Sequence, residues 1–495
     1  MKASEQRYYP LLAVLASILT SVCVLAFCYY QVWYYFSYVY NGDLGGYLDV
    51  IESGENAGWW APITLGLLHQ LYTSLKSVHF FSFFSIDCSI TDVFWFYRMA
   101  CRFMGLLFAL SVGFLVFSSV RRSLWNLASA LSLCIFALFL SFHIHLGSRL
   151  DFFFVAELFA ALALLQAMGV GGRWWKRSVS AAYFVLLLLM VDARHNAILI
   201  LPLFLAAWGW KFFPGMRLRR MLLFVLLAGI ATVACRKGAE ACLVNRTAVN
   251  PSHVMLLSDL RMAAILRGDY QAYAYHNPRQ RPMADWVRPG AADGEDPVDS
   301  NPMGKFFNAQ HRTLVASCVS ELQHVYDEPV SISDIIDEYL KELRTHPREL
   351  LMARLMTIEQ FFLGTEHMQW ERSLISSVCP AVRDDEDAWM VLPQREKFSG
   401  ERLDVVRGSA LVWYAVSLVV AMAFASRYRK RMLLLDNTVR SAILAVSSAF
   451  VYLLSFLAVT PTSDFRYHYP SLALLCYGTP ILLLALWRNC AAHRP

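Results

Sequence analysis

The stretch MACRFMGLLFALSVGFLVFSSVRRSLWNLASALSLCIFALFLSFH, residues 99–143, decides what kind of protein this is. Two apolar runs, 99–118 and 124–143, flank the pair Arg121–Arg122. Each run is long enough, as a helix rising about 1.5 Å per residue, to cross a hydrocarbon layer about 30 Å thick. The arginine pair between them marks a connection that stays on the cytoplasmic side. The segment predicts two membrane helices joined by a short basic turn.

The rest of the chain repeats this theme. Of 495 residues, 57% are hydrophobic and 17% charged, and the mean hydropathy is +0.42. Those values exclude an ordinary soluble globule. Ten apolar segments are readable, with cores at 10–30, 99–118, 124–143, 152–170, 179–192, 196–212, 221–235, 409–425, 441–459 and 470–487. The first lacks a cleavage-site pattern and reads as a retained span. The fifth and sixth are short and flank VDARHNA, so they read as a tight hairpin. The expected fold is an all-α polytopic membrane protein of about ten transmembrane helices. Its domains are a seven-span module (1–235), a mostly helical extracytoplasmic domain (236–405) and a three-span module (406–495).

Charge sets the expected orientation. One set of connections carries Lys2 and Arg7, Arg121 and Arg122, Arg173, Lys176 and Arg177, Lys211, Arg217, Arg219 and Arg220, Arg427 to Arg431, and Arg488 and Arg494. The alternate set has the isolated Arg149, Arg194 and Arg466. By the positive-inside rule both termini are cytoplasmic. The aromatic loop 32–97 and segment 236–405 then lie outside. Segment 236–405 holds 19 Lys plus Arg against 26 Asp plus Glu, a net of −7. The whole chain is +6, so the remainder is +13; the sign asymmetry across the membrane is clear. Within the outer segment, SISDIIDEYLKELRTHPRELLMARLMTIEQFFLG has helical spacing, with Ser331 or Ser333 as cap and Pro347 opening a second helix. Residues 277–302 read as an exposed Pro/Gly/Asp-rich loop.

No Cys or His spacing resembles a metal motif, and there is no phosphate-cradling glycine loop. Cys23, Cys28, Cys101, Cys134 and Cys476 lie in apolar runs as packing residues. Cys242, Cys318 and Cys379 leave one disulfide open without a readable connectivity. Nothing points to nucleic acid.

Charges at membrane depth cost at least ~2.5 kcal/mol, so they are paired or functional. Asp43 and Asp49 follow span one, Asp151 opens span four, Asp192 and Arg194 sit at the hairpin tip, and Asp464 and Arg466 follow span nine. All share the outer side in this topology. Bland readings stand beside this one. Asp49 reads more readily as a solvated carboxylate or the cap of a surface helix. Asp192 with Arg194, and Asp464 with Arg466, read as local ion pairs. Glu157 in span four faces a water-filled cavity or a partner. His143 and His145 read as interfacial. The chemistry favoured by the whole set is group transfer from a lipid-linked phosphate. A carboxylate serves as base, arginine forks grip phosphate, and interfacial tyrosines line the approach.

GDLGGYLDV…GWWAPITLGLLHQLY, RLDFFFVAELFAALALL, DARHNAILILPLFLAA, DFRYHYPSLALL and HPRELLMARLMTIEQFFL together resemble the polytopic C-type glycosyltransferases of bacterial type. These use polyprenyl-phosphate sugars at the outer membrane face. The resemblance implies Asp43 as general base, giving inversion, with Asp151 orienting the acceptor. It implies Arg194 and Arg466 on the donor phosphate, Tyr467 and Tyr469 at the lipid-phosphate entrance, and Tyr47, Asp49, Trp59 and Trp60 at the acceptor. The partners implied are a polyprenyl-phosphate-linked sugar, a glycan, lipid or protein acceptor, and membrane lipids. The place implied is the bacterial inner membrane, with the site facing the periplasm. Leu44 follows Asp43 where some branches have an acidic pair, so no metal ligand set is assigned; a divalent cation, Mg or Mn, stays open as cofactor. The inserted outer domain departs from the branch that carries a large C-terminal one. The alternatives are a polymerase or ligase of lipid-linked glycans, a transporter, and a non-catalytic envelope assembly subunit.

Overall fold

A computed structural model of the chain describes residues 9–38, 92–140, 150–169, 171–194, 196–212, 217–243, 256, 259–260, 263, 332–363, 394–428, 436–459 and 468–492. All regular structure among them is helical. The helices are α1 Tyr9–Tyr38, α2 Asp92–Val120, α3 Leu127–Leu140, α4 Leu150–Ala167, α5 Arg173–Ala193 and α6 Ala197–Phe212. They continue with α7 Leu218–Leu243, α8 Ile332–Thr345, α9 Pro347–Leu363, α10 Gln394–Tyr428, α11 Asn437–Val459 and α12 Tyr469–Ala492.

Six of these, α1, α2, α7, α10, α11 and α12, are long and apolar enough to cross a membrane. The apolar parts of α3, α4 and α6 are shorter. In α5 the basic first turns, Arg173, Lys176 and Arg177, and the terminal Asp192 dilute an otherwise apolar helix. The short fifth span expected at 179–192 is thus the inner part of a 21-residue helix. Leu218, Leu222, Leu223, Leu226, Leu227 and Ile230 of α7 are all exposed, as are Leu11, Leu15, Ile18 and Leu19 of α1. Contiguous apolar surface on that scale belongs against lipid. The chain is a helical membrane protein.

The chain divides into two compact units. One comprises Met1–Thr247, Val412–Ser455 and Arg466–Pro495; the other comprises Ala248–Leu411 and Phe456–Phe465.

In the first unit, α4 is the hub. From Phe152 to Ala163 every side chain is buried, as befits a helix apolar on all sides. Phe108 of α2 meets Phe152 and Phe159 edge-on at 6.3 and 5.1 Å, and Phe154 meets Tyr452 of α11 at 5.1 Å. Small residues let other pairs close up, as expected where no hydrophobic drive separates helix from lipid. Gly105, Ala109 and Gly113 line one face of α2. Against them, Ser17 donates to the Gly113 carbonyl at 2.8 Å and Ser21 to the Ala109 carbonyl at 3.0 Å. A Cβ on Gly113 would collide with Ser21 Oγ. Between α11 and α12, Gly478 sits so close that a Cβ would come 2.7 Å from Val446 and 2.8 Å from the Ala442 carbonyl. Ser471 donates to the Ala449 carbonyl at 2.9 Å, and Ser129 of α3 to the Tyr477 carbonyl at 3.0 Å.

The basic connections gather at one end of this unit. Arg122 pairs with Asp436 at 3.7 Å, Lys211 Nζ donates to the Leu165 carbonyl at 2.6 Å, and Trp175 Nε1 donates to the Ala167 carbonyl at 3.0 Å. Trp125 and Trp487 meet edge-on at 5.2 Å. With exposed Trp174, Trp175 and Trp210, they form an aromatic belt at the level of the arginines, the signature of a membrane–water boundary.

In the second unit, α8 and α9 are separated only by His346, whose N–H still bonds the Glu342 carbonyl at 2.7 Å. Pro347 opens α9, where its missing N–H costs nothing. Asp259 ties the pair down. Its Oδ2 accepts from Arg354 Nη2 at 2.9 Å and Nε at 3.1 Å, and from Tyr339 at 3.4 Å.

Candidate active site at the end opposite the basic connections

Several expected site residues, Asp43, Tyr47, Asp49, Trp59, Trp60, Arg466 and Tyr467, lie outside the described residues. So do Asp464, His143, His145, Cys318 and Cys379, and the Ser331 cap position. Asp151 is described by its backbone, in the first turn of α4. Arg194 and Tyr469 are described fully.

The hairpin carrying Arg194 is as tight as VDARHNA implies. Helix α5 ends at Ala193 and α6 begins at Ala197. Arg194 is the cap between them: its N–H bonds the Met190 carbonyl at 3.1 Å, and its carbonyl receives the Ala197 N–H at 3.0 Å. Its extended backbone turns the chain without a glycine. Arg194 thus stands at a helix-to-helix corner, half-buried as a residue.

Below this corner sits a buried group of charges. The Asp192 carboxylate meets the Arg236 guanidinium at 3.0 Å, with both side chains about 5% exposed or less. Glu157, 5% exposed, lies close enough to feel the Asp192 charge. Among the described residues its Oε2 has no hydrogen-bond partner. Glu157 is seven residues into α4, about 10 Å along the helix from Leu150. The Asp192–Arg236 pair is therefore held between α5 and α7, with the Glu157 carboxyl of α4 near Asp192, at the end opposite the basic connections. The Asp192–Arg236 pair keeps its charge inside the protein because the opposite signs compensate locally.

Arg236 was not among the expected site residues. The sequence placed it just beyond a span ending at 235, whereas α7 runs unbroken to Leu243. The signal present was a lone basic pair, Arg236–Lys237, at the end of a span where the positive-inside pattern predicts none.

Tyr469 opens α12 with its side chain wholly buried, and its ring stacks on Phe136 of α3 at 5.5 Å and 11°. It is part of the packed wall between α3 and α12. An open entrance rim is not its setting. Beside it His468 is also buried, its Nδ1 sharing a hydrogen bond with the Tyr414 hydroxyl of α10 at 3.0 Å. The Tyr414–His468 contact ties the start of α12 to α10 and fixes where the chain emerges from DFRYHYP. The sequence shows no signal for it, because the partners are 54 residues apart.

No three His, Cys, Asp or Glu side chains among the described residues converge as a metal-holding group. Comparisons with protein-family models, curated proteins and solved structures find no match.

Proposed function

We propose that the protein is a membrane glycosyltransferase moving a sugar from a polyprenyl-phosphate donor to an acceptor hydroxyl, on the face opposite the basic connections. That face is the periplasmic side of a bacterial inner membrane, with ten crossings and both termini cytoplasmic. The observation that supports it most is the location of Arg194. The residue sits at a helix corner at the same end as the α4 start that carries Asp151, two residues from the buried Asp192–Arg236 pair. In this reading Asp43 removes the acceptor proton. The acceptor oxygen then bonds to the anomeric carbon, and the carbon–oxygen bond to the lipid phosphate breaks with inversion. The phosphate leaves with its electron pair, held by Arg194 and Arg466, which act on charge as it develops. Asp151 orients the acceptor, and Asp192–Arg236 braces the corner from below. A divalent cation, if bound, neutralises phosphate charge.

The test is transfer from a polyprenyl-phosphate sugar by purified protein in liposomes. Asp43→Asn is expected to lower turnover at least about a hundredfold, in keeping with the contribution of a general base, while leaving the melting temperature unchanged. Near-normal turnover removes the base assignment. Mass spectrometry of lipid-linked glycans from a deletion strain identifies the donor sugar.

One observation favours a second reading. Glu157 lies deep in α4, and carboxylates at such depth recur in proton-coupled transporters. Glu157→Gln separates the two. Proton-coupled uptake into liposomes would be abolished by it, whereas sugar transfer would survive.

A further inference from the structure

At the basic end, Lys211 reaches the C-terminus of α4, and three further cations lie near enough for their charges to act on it. Lys211, from the last turn of α6, donates to the Leu165 carbonyl. A Cβ on Gly169 would lie 3.1 Å from Lys211 Nζ and 3.0 Å from Asn437 Nδ2. The absence of a side chain there thus lets two N–H donors converge on one spot. The charges of Arg122, Lys176 and Arg440 all reach the Lys211 ammonium. Arg122 follows α2, Lys176 stands in the first turns of α5, and Arg440 in the first turn of α11.

The arrangement runs against its own electrostatics. A helix N-terminus carries partial positive charge and favours acidic residues, yet α5 and α11 have none in their first turns. Among the described residues the carboxylate at this cluster is Asp436, which is 3.7 Å from Arg122 and also caps α11 through the Val439 N–H at 2.9 Å. In sequence, Asp436 is the sole acidic residue across 118–128, 165–182, 206–224 and 426–442. An anion from outside the chain would lower the mutual repulsion of these cations. The surroundings say which kind. Trp125, Trp174, Trp175, Trp210 and Trp487 are exposed at the same level, so the cluster lies where phosphate headgroups lie. Basic pockets between membrane helices at this level take phosphate headgroups.

We propose that Arg122, Lys176, Lys211 and Arg440 form a headgroup site for an anionic phospholipid of the leaflet at the basic end. The phosphodiester oxygens accept from the guanidinium and ammonium groups and from Asn437, and the acyl chains run down the exposed apolar flank. The site is independent of the chemistry proposed for the opposite end.

The experiment uses the full chain in neutral detergent, titrated with phosphatidylglycerol, phosphatidylcholine or inorganic diphosphate. The readouts are tryptophan fluorescence and the melting midpoint. Phosphatidylglycerol is expected to shift both saturably, and phosphatidylcholine neither. Lys176→Gln with Arg440→Gln, both exposed side chains, is expected to weaken the response about thirtyfold. The charge-retaining Lys176→Arg with Arg440→Lys keeps it within a few-fold. Arg219→Gln with Arg220→Gln removes equal charge from the same end outside the cluster and leaves the response intact. Equal loss in both neutral pairs would show general surface attraction and overturn the site. So would an absent response to phosphatidylglycerol in the unaltered protein, or loss in the charge-retaining pair. Saturation by inorganic diphosphate at the same concentration would assign a soluble anion and overturn the lipid.

Discussion

At the scale of single residues, the buried ion pair is the most sensitive point. Removing one partner of such a pair strands the other charge, at a cost of about 3–5 kcal/mol. Arg236→Ala is therefore expected to lower the detergent melting midpoint sharply. The uncharged double variant Asp192→Asn with Arg236→Gln is expected to recover much of the loss, because neither charge is left alone. A double variant as unstable as Arg236→Ala would show that the pair is not energetically coupled. Asp259 offers a different probe. Burial pushes its carboxyl up to about 6, outweighing the opposite pull of Arg354 and Tyr339. The folded chain holds this proton at pH values where an unfolded Asp, near 3.9, has lost it. Its contribution to stability is complete below about pH 4 and is lost as pH rises through about 6, by about 3 kcal/mol at most. The denaturant midpoint followed by a probe on α9 is expected to fall between pH 4.5 and 7. Asp259→Asn is expected to flatten that slope, and an unchanged slope would refute the assignment.

At the scale of elements, helix pairing rests on close backbone approach. Gly113→Leu forces its side chain into Ser17 and Ser21 of α1 and breaks the two serine–carbonyl bonds that staple α1 to α2. Overpacking of this kind costs about 1–3 kcal/mol, read as a lower melting midpoint. Gly229→Ala, on the lipid-facing helix α7, meets nothing within 4 Å and is expected to be neutral or slightly stabilising. Much at this scale was legible beforehand. Each apolar run read from the sequence falls in a helix, and six of those helices are long and apolar enough to cross a membrane, where an apolar run has no alternative to helix. Helix lengths were less legible. The 35 residues of α10 and the extension of α7 through Arg236 include polar turns that hydropathy assigns to loops.

At the scale of the whole molecule, orientation is the expectation with the widest consequences. Single cysteines introduced at Trp174 and at residue 300 are expected to react with impermeant reagent from opposite sides of the membrane. Labelling of both from one side would remove the outer-face site altogether.

The sequence by itself determined the class of the protein, the order of its helices and which connections are basic. Those are local properties, set by runs of apolar side chains and by the cost of leaving backbone groups unsatisfied in lipid. Only the tertiary structure decided that α4 is the hub. It also decided that Asp192 meets Arg236, that Tyr469 packs on Phe136, and that Lys211 reaches the end of α4 with three further cations near it. Each of those joins residues far apart in the chain, and such contacts depend on helix packing angles and on where a glycine permits close approach. No periodicity or composition carries that information.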